Sequence, residues 1–112
     1  MIYLSIVFFA IAAVFGLTIL LKWLSKKDAS KGVIFSHGVA AVTALILLIF
    51  YSIQNTENFP MVSIVLFGIA ALAGIYMFVR DMKSKPSPIA LAFTHAIVAV
   101  IGFVLLLLFA FS

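Results

Sequence analysis

The sequence contains no cysteine and very few charged residues. Without a thiol, the chain can form neither disulfides nor thiolate metal sites, and it cannot attach a c-type haem covalently. Its three acidic residues, Asp28, Glu57 and Asp81, all lie outside the long apolar runs, so no carboxylate is predicted inside the apolar region. Charged residues make up 9% of the chain and hydrophobic residues 67%. A soluble domain of 112 residues could not bury so much apolar surface, which indicates that the chain lies in lipid.

Four apolar runs are long enough to cross a bilayer, for which a helix needs about 20 residues. They occupy roughly residues 2–24, 33–53, 59–80 and 88–111. None shows the polar–apolar alternation of a membrane barrel, and helices satisfy their own backbone polar groups in lipid. The first run has no basic flank or small-residue cleavage site, so we interpret it as a span and not as a signal peptide. The sequence therefore predicts an all-α integral membrane protein, a single membrane domain over residues 1–112.

The basic residues predict the orientation of the spans. All seven lie in two clusters, the first with Lys22, Lys26, Lys27 and Lys31 and the second with Arg80, Lys83 and Lys85. The connection between the second and third runs contains Glu57 and no basic residue. By the positive-inside rule, both basic loops face the cytoplasm and both termini lie outside, in a bacterial inner membrane. The high pI therefore indicates topology and anionic lipid headgroups, and nucleic-acid binding is not predicted.

The chain contains an internal repeat. A shift of 58 residues aligns 1–54 with 59–112 without a gap and gives 15 identities. Matches of Leu and Val are common between apolar segments, but the shared pattern in "SIVFFAIAAVFG" and "SIVLFGIAALAG" is far more specific. We interpret it as a tandem duplication of a two-helix hairpin. Short loops then predict a four-transmembrane-helix up-down bundle, in which parallel repeats are related by a pseudo-twofold axis along the membrane normal.

Each repeat holds one of the two histidines of the chain. His37 lies in "VIFSHGVAAV" and His95 lies at the matching position in "LAFTHAIVAV". The duplication places both residues at one depth, about five residues into the second and fourth helices and near the basic loops. Those helices are diagonal in an up-down bundle, with axes about 11–14 Å apart when neighbouring helices are about 8–10 Å apart. We expect the two imidazoles to point at each other across the bundle axis.

Small residues surround both predicted histidine positions. Ala41 and Ala44 follow His37 on one helical face, and Ala99 and Gly102 follow His95. The preceding helices contribute Gly16 and Gly74, each four residues after an alanine. This spacing is typical of close helix packing in membranes. A flat slot for a macrocycle between the helices would also require small side chains at these positions.

Three interpretations of the histidine pair remain open. Each imidazole is a structural group hydrogen-bonded to a neighbour, or both ligate one haem b, or they form a two-coordinate metal site or a proton relay. An ionisable residue inside a span is costly, which favours a function. A bare zinc or copper site takes three or four ligands, and a relay needs a carboxylate; neither is available at this depth.

The paired histidines and the adjacent small residues resemble the core of bis-histidine b-type membrane cytochromes. Their four-helix bundles clamp haem between facing histidines, and they commonly carry two haems on four histidines, whereas this chain has ligands for one. The chain also resembles small uncharacterised four-span bacterial proteins, which implies no activity. The resemblance implies a single-haem cytochrome, with His37 and His95 as metal ligands, that passes electrons near the cytoplasmic side to a quinone or a redox partner. The alternative is a non-catalytic structural or partner-binding membrane module. A homodimer would bring four histidines together and reopen the metal interpretation.

Overall fold

The computed structural model describes all 112 residues and contains four α-helices and no strand. The helices are α1 (Ile2–Leu24), α2 (Lys31–Gln54), α3 (Met61–Met82) and α4 (Ile89–Phe111). Each is long and apolar enough to cross a membrane. The predicted fold class, an all-α integral membrane bundle of four helices, is therefore confirmed.

Two helices, α2 and α3, extend slightly beyond the apolar runs at their charged ends. α2 begins at Lys31, two residues before the predicted run, because the Ser30 hydroxyl accepts a hydrogen bond from the Val33 N–H and caps the helix. α3 continues through Asp81 to Met82, since charges at the end of a span can lie at the headgroup level without ending the helix. α3 begins two residues later than predicted and α4 one residue later, directly after Pro60 and Pro88.

The same turn ends α1 and α3. Lys26 and Ser84, 58 residues apart, both adopt the left-handed backbone conformation, with φ of 58° and 56°. The next residue in each turn donates its N–H to a carbonyl five residues back, from Lys27 to Lys22 and from Lys85 to Arg80. The left-handed residue itself donates to the carbonyl three residues back. Together these bonds form a Schellman motif, which satisfies the last carbonyls of each helix without a glycine.

The helices form an up-down bundle of two hairpins, with overall dimensions of 44 × 22 × 19 Å. α1 packs most extensively on α2 and α3 on α4, and the interfaces of α1 with α4 and of α2 with α3 are smaller. The diagonal pairs, α1 with α3 and α2 with α4, meet only through side chains. This arrangement places one histidine-bearing helix of each hairpin on opposite sides of the bundle axis.

The buried residues follow the repeat. Only 18 of the 112 residues are buried, because most large apolar side chains face outward, where a membrane would cover them. Sixteen of the 18 form pairs separated by 58 residues. The pairs are Ile2/Pro60, Ser5/Ser63, Phe9/Phe67, Ala12/Ala70, Ile19/Met77, Ile34/Ala92, Ala44/Gly102 and Leu48/Leu106. Only Ala29 and Ala40 are buried without a buried counterpart, so the core has pseudo-twofold symmetry.

Candidate functional site

The two histidines lie at the same level of the bundle and face each other. His37 is the seventh residue of α2 and His95 the seventh residue of α4, about 9 Å from the start of each helix at 1.5 Å per residue. Their ring centroids are 6.2 Å apart, and the ring planes are inclined at 78°. Both rings are half-buried. The diagonal helices therefore bring together two side chains that are 58 residues apart in the sequence.

A backbone carbonyl of the preceding helix holds each imidazole. His37 Nδ1 lies 2.7 Å from the Ala12 carbonyl oxygen, and His95 Nδ1 lies 2.8 Å from that of Ala70. A carbonyl oxygen only accepts hydrogen bonds, so Nδ1 carries the hydrogen and donates. In the neutral ring, Nε2 then has a free lone pair, and neither Nε2 atom is hydrogen-bonded to the protein. Each ring is fixed through one nitrogen and has the other available as a ligand.

Gly16 and Gly74 make these hydrogen bonds possible. In an α-helix the carbonyl of residue 12 points toward residue 16, so an imidazole that reaches this carbonyl must pass over residue 16. A Cβ on Gly16 would lie 2.9 Å from His37 Cε1, closer than real side chains approach. A Cβ on Gly74 would lie 3.3 Å from His95 Cε1, which is tight but less severe. The imidazole of His37 therefore requires Gly16, and the imidazole of His95 packs closely on Gly74.

The rings of Phe9 and Phe67 stack on the pseudo-twofold axis next to the histidines. They are parallel to within 10°, and their centroids are 3.9 Å apart. Phe9 lies three residues before Ala12 and Phe67 three residues before Ala70, about one helical turn further from the basic loops. Both side chains are buried. The stacked rings therefore lie between the histidines and the end of the bundle that holds the chain termini.

The other predicted small residues lie further from the imidazoles. Ala44 and Gly102 are buried about 10 Å along the helices from the histidines, at 1.5 Å per residue. The Ser5 hydroxyl donates to the Ala44 carbonyl at 2.9 Å, and Gly102 packs close to Phe67. Ala41 and Ala99, one turn from the histidines, are partly buried. The structure thus places Gly16 and Gly74 beside the histidines and uses Ala44 and Gly102 to bring the two helices of each hairpin together.

The number and spacing of the ligands limit what this site can hold. The centroid separation of 6.2 Å matches two imidazoles opposed across one metal ion with bonds of about 2.0–2.1 Å, and it equally matches an edge-to-face contact of the two rings, for which about 4.5–7 Å is usual. No group of three or more His, Asp or Glu side chains occurs in the chain, so a bare ion would lack protein ligands. A haem iron takes four ligands from its own macrocycle and needs only two from the protein. The two imidazoles are therefore the number of protein ligands that a haem needs. Helix packing and the close approach of the imidazoles are sufficient to explain why the neighbouring residues are small.

Sequence reasoning missed two features of this region. The first is the pair of hydrogen-bond acceptors, the carbonyls of Ala12 and Ala70. Their sequence signal is an alanine four residues before a glycine, which occurs in both repeats. The ion pair between Lys31 and Asp81 had no such signal, because neither residue has a charged counterpart in the other repeat. This ion pair joins the start of α2 to the end of α3 and connects the two hairpins.

Comparison of the chain with protein-family models, curated proteins and solved structures finds no match to any of the three.

Proposed function

We propose that the chain is a small b-type cytochrome that binds one haem b between His37 and His95. The observation that carries this proposal is the pair of facing imidazoles, each fixed through Nδ1 and each with an unbonded Nε2. Two ligands at this spacing are too few for a bare metal ion and suffice for a haem iron. When bound, the haem would supply one-electron redox chemistry.

The residues of the chain would fix the geometry and the location of that chemistry. The carbonyls of Ala12 and Ala70 orient the two rings and make their Nε2 atoms stronger ligands. The histidines lie in the half of the bundle nearer the basic loops, which the positive-inside rule assigns to the cytoplasm of a bacterial inner membrane. Electrons would therefore be exchanged near the cytoplasmic side, with a quinone or a redox partner as the donor or acceptor.

The test is the absorption spectrum of the purified protein after expression with haem supplied. We expect one haem per chain, a sharp Soret band and split α and β bands after reduction. His37→Gln and His95→Gln keep a polar donor near the carbonyl but lose the imidazole ligand, and each should lose this spectrum. Ser36→Ala is a matched control, because Ser36 precedes His37 but makes no hydrogen bond, and it should keep the colour. A folded, colourless wild-type protein would refute the proposal.

A second candidate is a non-catalytic membrane module in which the histidines are structural. The contact between Gly16 and His37 favours it, because this contact and the carbonyl bonds explain both residues without a cofactor. In that case, the histidine variants would lower the stability of a protein that never binds haem. A module of this kind would act through a protein partner or as a homodimer, which chemical cross-linking in the native membrane would detect.

A further inference from the structure

We infer that each of the two basic turns binds the phosphate of one anionic phospholipid, which gives two sites related by the pseudo-twofold axis. The inference concerns the ends of α1 and α3 and does not depend on haem binding. It rests on the way in which the repeated turn brings cations together at the membrane surface.

The Schellman turn holds two cationic residues side by side in each repeat. In the first turn, the Lys27 N–H donates to the Lys22 carbonyl at 2.8 Å. In the second, the Lys85 N–H donates to the Arg80 carbonyl at 2.9 Å. Lys22 corresponds to Arg80 and Lys27 to Lys85 after the shift of 58 residues. The fold therefore places the same pair of cationic residues together twice, with the two backbones bonded to each other.

No carboxylate forms an ion pair with any of these four residues, and this includes Asp28, which directly follows Lys27. The only ion pair in the chain joins Lys31 to Asp81, so the carboxylate nearest to Arg80 in the sequence is already paired. Lys22, Lys27 and Lys85 are exposed. Both side chains of a pair start from the same turn, so an anion at that turn would be attracted by two positive charges at once.

Arg80 is oriented within the second turn. Its Nε and Nη2 donate to the Pro86 carbonyl at 3.0 and 2.8 Å, which ties the end of α3 to the loop before α4. The guanidinium also lies 5.8 Å from the centre of the Tyr76 ring. These contacts restrict the guanidinium to the end of the apolar span, where the headgroups of a bilayer lie.

A lipid phosphate is the occupant that fits this position best. In each turn, one cation lies in the last turn of a membrane span and the other lies just beyond it, so the pair straddles the boundary between acyl chains and headgroups. An anionic headgroup is held at that depth by its own acyl chains, unlike a soluble anion. Each Lys or Arg near a membrane surface favours anionic lipid by about 1 kcal/mol, or roughly fivefold in affinity.

Native mass spectrometry of the full chain in detergent tests the inference by titration with phosphatidylglycerol or phosphatidylcholine. We expect two phosphatidylglycerol molecules to bind with clear preference over phosphatidylcholine. Lys27→Gln should weaken one of the two sites about fivefold, Lys85→Gln the other, and the double variant both. Lys83→Gln removes the same charge from the second turn but lies outside the bonded pair, and it should weaken binding clearly less than Lys85→Gln.

Three results would overturn the inference. Equal binding of the two lipids would show that the turns do not select an anionic headgroup. A loss for Lys83→Gln as large as for Lys85→Gln would show that diffuse charge and not the paired cations attracts the lipid. Displacement of the lipid by millimolar inorganic phosphate would show a site for a soluble anion. Circular dichroism of each variant separates these results from misfolding.

Discussion

Ser5 and Ser63 occupy matching buried positions in the two repeats, yet only Ser5 is hydrogen-bonded. The Ser5 hydroxyl donates to the Ala44 carbonyl across the first hairpin, whereas the Ser63 hydroxyl has no partner. Both side chains are almost completely buried, with exposed fractions of 0% and 1%. A side-chain hydrogen bond therefore links the two helices of the first hairpin, and the matching position of the second hairpin has none.

This difference predicts that replacing serine with alanine has different effects on stability at the two positions. Ser5→Ala should lower the free energy of unfolding by about 0.6–1.7 kcal/mol, from the average to the largest value for hydrogen bonds between membrane helices. Ser63→Ala removes a buried hydroxyl without a partner and should leave stability unchanged or raise it by up to about 1 kcal/mol. Unfolding in mixed micelles of dodecyl sulfate and maltoside, followed by circular dichroism, measures both. Equal losses for the two variants would contradict the observed asymmetry.

The glycines beside the histidines predict a graded series. Gly16→Ala forces the imidazole of His37 away from the Ala12 carbonyl and should cost about 1–3 kcal/mol of stability. Gly74→Ala should cost less, because the corresponding contact with His95 is longer. Gly38 has no atom near its missing Cβ, so Gly38→Ala should be neutral or stabilise by up to about 1 kcal/mol through helix propensity. The same unfolding assay ranks the three variants, and a loss for Gly38→Ala as large as for Gly16→Ala would disprove the steric explanation.

The left-handed residues of the two turns predict stabilising substitutions. A non-glycine residue in this conformation costs roughly 1–2 kcal/mol, part of which glycine recovers. Lys26→Gly and Ser84→Gly should each raise stability by about 0.5–1 kcal/mol after the entropy of the unfolded chain is counted. Ser25→Gly is the control, because Ser25 has an ordinary φ of −86° and gains nothing from glycine. Thermal unfolding should move to higher temperature for the first two variants and not for the third.

The ion pair between Lys31 and Asp81 predicts a weak, salt-sensitive coupling between the hairpins. Lys31 lies at a helix start and Asp81 at a helix end, so each charge is unfavourably placed in the dipole of its own helix. Their stabilisation comes from each other, and Lys31 also donates to the Asp81 carbonyl. A double-mutant cycle with Lys31→Gln and Asp81→Asn should give a coupling of about 0.2–1 kcal/mol at low salt. The coupling should decrease at about 1 M salt, where screening acts over only about 3 Å, and a coupling unaffected by salt would argue against an exposed ion pair.

Hydropathy predicted the four spans because lipid leaves few alternatives to long apolar helices. It made α2 begin too late and α3 end too early, because Lys31 and Asp81 lie within these helices at the membrane surface. The Ser30 cap was a readable start signal for α2, whereas the ends of α1 and α3 carry no glycine that would predict their turns. A left-handed lysine or serine cannot be recognised from residue type, because the hydrogen bonds of the completed turn stabilise it.

The candidate site was predictable in position but less so in detail. The repeat register placed His37 and His95 at one depth because side chains in matching positions of parallel repeats share a level. The only sequence signal for the hydrogen-bond acceptor of each ring was an alanine four residues before a glycine, because the choice of acceptor also depends on the rotation of each hairpin helix against its neighbour. That rotation brings Gly16 and Gly74 against the imidazoles, and their predicted role as walls of a slot stays a prediction. Whether haem binds remains a prediction for the spectrum to test.

The rings of Tyr3 and Phe111 lie 5.6 Å apart, which places the two ends of the chain side by side at one end of the bundle. The repeat register makes Ser112 the counterpart of Gln54 and Met1 the counterpart of Phe59, so residues 55–58 form the only segment without a counterpart. A chain that starts at Phe59, runs to Ser112 and continues through Asn-Thr-Glu-Asn into Met1 to Gln54 would therefore trace the same path. We expect this circular permutant to keep the helical content of the parent, whereas opening the chain between Lys26 and Lys27 should destabilise it by breaking a bonded turn. The two repeats therefore form a closed circle of four helices, and the same fold is expected whichever repeat is translated first.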